Sequence, residues 1–102
     1  MRVVALVSDL MDRSRVSGAL PDVVFSSDPA ASIDADVVIV DLARHADAVA
    51  AVRANAPSAR IIAFGPHVDD DLLQRARADG ATLVLPRSQF FRDPAAAVQA
   101  AT

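Results

Sequence analysis

The chain contains no cysteine, tryptophan, tyrosine, lysine or glutamate. Without cysteine there is no disulfide, no thiolate metal ligand and no thiol nucleophile. Without lysine there is no Schiff-base amine and no phosphate-binding lysine of the P-loop kind, and without glutamate one class of general base is gone. All 10 cations are arginine and all 13 acids are aspartate, a skew that matches GC-rich coding and carries no chemistry of its own. Glycine occurs 3 times and never as G-x-G, so no dinucleotide-binding loop is present. The apolar runs are too short to cross a bilayer. The N-terminus lacks the pattern of a secretion signal, so a cytoplasmic protein is expected. A formal net charge of −3 gives no pull toward nucleic acid or an acidic membrane.

What is present is a material excess of apolar residues, 53% of 102, enough for the core of one domain spanning residues 1–102. The most telling stretch is Val37-Val38-Ile39-Val40-Asp41-Leu42. A β-branched run without polar alternation reads as a strand buried on both faces, and hence as part of a parallel sheet. Further strands are expected at 3–7, 22–25, 60–64 and 82–85. Helices are expected from Asp9 to about Leu20, from His45 to Asn55, from Asp69 to Asp79, and from Asp93-Pro94 onward with burial through Val98. Ser88 reads as the opening of a turn that carries Phe90 and Phe91. Strands alternating with helices imply an α/β, doubly wound parallel sheet with helices on both faces. The connector at 26–35 barely reaches the dozen residues a parallel crossover needs, so the second helix is expected to be shortened or missing, reduced at most to a turn begun at Asp28-Pro29.

Three strand ends then stand out: Ser8-Asp9 after the first, Asp41 at the third, and Leu85-Pro86 at the fifth. Over nearly the whole chain this resembles the receiver domain of two-component response regulators, which implies a flavodoxin-like three-layer sandwich with strand order 2-1-3-4-5. In that family an acidic pair after strand one holds Mg²⁺, and the Asp ending strand three accepts a phosphoryl group. A Ser or Thr after strand four and a Lys before the strand-five Pro contact the phosphoryl oxygens. The resemblance assigns the acceptor position to Asp41 and the acidic pair to Ser8 and Asp9. It leaves Gly65 at the hydroxyl position and Leu85 at the lysine position. Phosphoryl transfer depends on positioning and charge neutralisation, so the resemblance implies the fold without the usual chemistry: a non-enzymatic pseudo-receiver. Mg²⁺ held weakly by Asp9 and Asp41 is the only cofactor it allows.

Residue by residue, other readings compete. Asp41 and Asp9 each suit a helix N-cap. Asp9, Asp41 and His67 form an alternative acidic pocket for a metal or phosphate at the strand edge, and an atypical phospho-acceptor at Asp41 is a third reading. Arg87, with Ser88 beside it, is a candidate anion contact near the lost lysine. His45 is expected to face solvent and is assigned nothing. Asp69-Asp70-Asp71 reads as a helix start favoured by the macrodipole. The resemblance also implies association through the last strand and its flanking helices, a face carrying Leu72, Ala76, Phe90, Phe91 and Val98. With no segment after the last helix, output is expected through a protein partner or a homodimer.

Overall fold

In the computed structural model, which describes residues 1–102, the apolar runs form a parallel sheet of 5 strands. They are β1 (Val3–Leu6), β2 (Val24–Phe25), β3 (Val37–Asp41), β4 (Arg60–Gly65) and β5 (Leu83–Pro86), in the order β2-β1-β3-β4-β5 that the resemblance implies. The helices are α1 (Leu10–Ala19), α2 (Leu42–His45), α3 (Ala48–Asn55), α4 (Asp70–Ala78), α5 (Arg87–Arg92) and α6 (Pro94–Ala101). Between β2 and β3 the crossover shrinks to a single 3-10 turn, Pro29–Ser32, opened by Asp28, whose carboxylate accepts from the Ala30 amide at 2.9 Å. No helix is long and apolar enough to cross a membrane.

Side chains alternate along each strand, and that alternation makes two cores. Val38, Val40, Ile61 and Ala63 meet Val49 and Val52 of α3 and Leu73 and Ala76 of α4. On the opposite face Val37, Ile39, Ile62 and Phe64 meet Val16 of α1, Phe90 of α5 and Val98 of α6. Each fully buried Val or Ile contributes roughly 1.5–3 kcal/mol. Every residue of β1 and β3 is buried, so the central strands rather than the helices anchor the molecule. Helix α1 is the thinnest case: its buried residues are Asp12 and Val16 alone.

The amino edge is tied by one side chain. Arg53 donates to the carbonyls of Gly80 (2.8 Å), Pro57 (2.9 Å) and Ala59 (2.7 Å), joining the end of α3 to the entries of β4 and β5. Gly80 ends α4 at φ +111°, with its own amide on the Arg77 carbonyl and that of Ala81 on Ala76, the paired bonds of a Schellman cap.

Two local expectations need correction. The helix expected from His45 is broken in two: Asp41 starts α2 directly at the strand end, and α3 begins only at Ala48. The segment after β5 is not a turn at Ser88 but helix α5, begun by Pro86-Arg87 and held by fully buried Phe90. Phe90 stacks on Phe64 at 4.7 Å, and Phe91 meets both rings edge-on at 5.0 Å. An aromatic cluster therefore stabilises a helix where the polar residues alone suggest a turn.

Candidate functional site

Strand register puts Asp41 opposite Phe64, and Phe64 opposite Leu85, at the carboxyl edge of the sheet. Asp41 is buried at 3% exposure. One of its oxygens accepts from the Ala43 amide at 3.1 Å and so caps α2. Burial raises its pKa above the ordinary value, and the nearby negative charge of Asp12 adds to the rise. Asp9 caps α1 in the same way, accepting from the Asp12 amide at 3.0 Å, and that bond holds its pKa below the ordinary value. Both carboxylates thus do the work of helix caps.

The strongest interaction at this edge involves a residue the sequence does not single out. Asp12, also 3% exposed, receives both Nη groups of Arg87, one of them at 2.8 Å on Oδ2. The planar fork matches the carboxylate in the bidentate geometry that makes such pairs strong. The Arg87 guanidinium lies over the rings of Phe91 (4.8 Å) and Phe64 (5.9 Å), a cation–π floor that fixes its direction. Its own pKa is raised first by the bond to Asp12, with Asp41 and Asp9 contributing through space. Asp12 thus holds Arg87 directly, while Asp41 and Asp9 feel its charge through space. The signal for Asp12 was in the sequence: it stands i, i+4 from Val16 on the inner face of α1, where an acid must find a partner.

Arg87 starts two residues after the lysine position and reaches back across the edge to Asp12. As an anion contact it is already engaged by a carboxylate of its own chain, and Ser88 is exposed beside it on α5 without a hydrogen bond. Leu85 is half-buried and packs into the cluster of Phe64 and Phe90. A Cβ added at Gly65 would lie 3.3 Å from Leu42 Cβ and 3.4 Å from Leu73 Cδ2, so the hydroxyl position is closed by leucines.

The pocket of Asp9, Asp41 and His67 is not assembled. His67 is exposed beyond β4 and bonds to neither acid, and no grouping of three or more His and Asp side chains is placed to hold a metal ion. Asp9 and Asp41 each turn one oxygen to a backbone amide, and Asp12 is bound to Arg87. His45, expected to face solvent, is half-buried and bonds Ser8 Oγ through Nε2 at 2.8 Å. On the face expected for association, Ala76, Phe90 and Val98 are core, while Leu72 and Phe91 are half-buried. Neither phenylalanine is a free aromatic anchor.

Comparison with known proteins agrees with this architecture. No protein-family model and no curated protein matches the sequence. Solved structures do match in shape. A response regulator receiver domain protein from Clostridium thermocellum superposes with a TM-score of 0.81 at 18% identity, covering 98% of this chain and 92% of its own. A response regulator from Thermotoga maritima gives 0.80 at 16% identity over 98% and 95%. A CheY-like protein, tadZ, from Pseudomonas aeruginosa gives 0.77 at 17% identity over 100% and 99%. The chain has the receiver fold.

Proposed function

From the receiver fold, we propose that this chain is a signalling domain whose phosphorylation apparatus is disabled and whose output is protein–protein contact. The observation that carries this reading is the Arg87–Asp12 pair. A working phosphoryl site needs mobile positive charge to meet the incoming oxygens. Here Arg87, the cation nearest the lost lysine in sequence, is already bonded within the chain, and Leu85 and Gly65 supply neither ammonium nor hydroxyl. Asp41 then serves as a buried cap in a site held in one arrangement.

A surface for contact is left at the sheet edge. Beside β5 a groove of about 350 Å³ is lined by Leu83, Leu85, Ala96 and Ala100, with Arg92 and Asp93 at its rim. Opposite charges side by side suit a self-complementary, twofold contact, which supports a homodimer.

The test is incubation of the full chain with acetyl phosphate and Mg²⁺, read by intact mass, with light scattering alongside. No added phosphoryl mass is expected, and a concentration-dependent dimer is expected to persist in Asp41→Asn. A stable acyl phosphate on Asp41 would overturn the reading in favour of an atypical phospho-acceptor.

A further inference from the structure

Because the β2–β3 crossover is only a 3-10 turn, a cleft of about 350 Å³ opens between that turn and α2–α3 at the carboxyl edge. Ser27 lines one wall and Arg44 and His45 line the other, above small side chains such as Ala48 and Ala51. Three groups here have hydrogen-bonding capacity left over. The Ser27 hydroxyl makes no hydrogen bond, and the Arg44 guanidinium makes neither a hydrogen bond nor an ion pair. His45 is fixed by Ser8 through one ring nitrogen, which leaves the other without a protein partner. Asp47, the carboxylate of the lining, is bound to Arg75 of α4, so it does not neutralise Arg44.

We propose that this cleft binds a small phosphate-bearing molecule, its oxygens taking hydrogen bonds from Arg44, His45 and Ser27. Donors facing one another from two walls suit a tetrahedral anion better than a planar carboxylate, which one guanidinium fork can satisfy alone. The volume lies at the lower end of the range for small-molecule sites and leaves room beyond a bare phosphate over the alanine floor. Its position also matters: Ser8 holds His45 and directly precedes Asp9, so an occupant touching the imidazole is felt at the start of α1. The inference is independent of whether Asp41 accepts a phosphoryl group.

The experiment is an NMR titration of the labelled full chain at constant ionic strength, with inorganic phosphate in one arm and glycerol phosphate in the other. Saturable shifts of the His45 ring and the Arg44 side chain are expected, in the millimolar range or tighter. Tighter binding of glycerol phosphate marks a phosphomonoester as the occupant, and equal binding marks free phosphate. Arg44→Ala, an exposed change, is expected to weaken binding about tenfold or more, while Arg60→Ala, an exposed change at the amino end of β4, leaves it unchanged. Absence of a saturable shift with both probes, or Arg44→Ala titrating like the wild type, overturns the proposal.

Discussion

Asp41 and Asp12 are buried alike, yet Asp12 is bonded to a cation and Asp41 to a backbone amide. Asp41 has a raised pKa because burial outweighs the amide it caps. The folded state therefore binds its proton more readily than the unfolded chain does. Its contribution to stability grows as pH falls through the raised value, and it levels off below the ordinary 3.8. Asp41→Asn keeps the capping oxygen and mimics the protonated form. It is expected to raise Tm at neutral pH by a few degrees, with the gap closing in acid, and thermal melts of both proteins across that range check it. Asp9, whose pKa is lowered by the Asp12 amide, works in the opposite sense, its contribution lost as pH falls. Asp12 depends on Arg87. Arg87→Met is expected to cost about 2 kcal/mol, less than for a fully buried pair because the guanidinium is 44% exposed. Adding Asp12→Asn should recover most of that loss in denaturant melts. A double variant as unstable as the sum of the singles would mean that the pair does not couple.

Among the elements, α1 and the end of α4 respond to glycine replacement with opposite signs. At Gly80 the backbone is left-handed, and an added Cβ would lie 3.0 Å from Arg53 Cγ, so Gly80→Ala meets both strain and the side chain that ties the amino edge. A loss of about 1–3 kcal/mol is expected. Gly18 lies inside α1 with nothing within 4 Å of an added Cβ, so Gly18→Ala is expected to stabilise by about 0.5–1 kcal/mol. Urea midpoints of the two variants on either side of the wild type check both. Most elements were legible in the sequence because their signals are local. β3 is a β-branched run, α4 has three acids at its start and Gly80 after it, and the 3-10 turn starts at Asp28-Pro29. α5 was not legible, because its cause is Phe64 on a distant strand stacking on Phe90.

For the whole molecule, the sheet edges and the charged rim govern what can be touched. β2 offers only two residues and β5 ends on Pro86, so neither edge is a long template for further strands. The polar surface at the carboxyl edge is divided between a pair bonded within the chain, Asp12 with Arg87, and Arg44 and His45 beside the cleft. A fold shared with receiver domains at 16–18% identity is compatible with both features. The sheet order rests on buried apolar side chains that many sequences supply, whereas the edge chemistry rests on a few side chains that are free to differ.

The alternation of strands and helices, the short second crossover and the lack of any lysine follow from the sequence alone, because periodicity, chain length and residue type are one-dimensional properties; the strand order came from the resemblance. The partner of each acid does not follow. Asp12 meets Arg87 from 75 residues away, and Ser8 meets His45 from 37. Only the packed helices decide those pairings, since a side chain's electrostatics depend on neighbours that the chain brings together last.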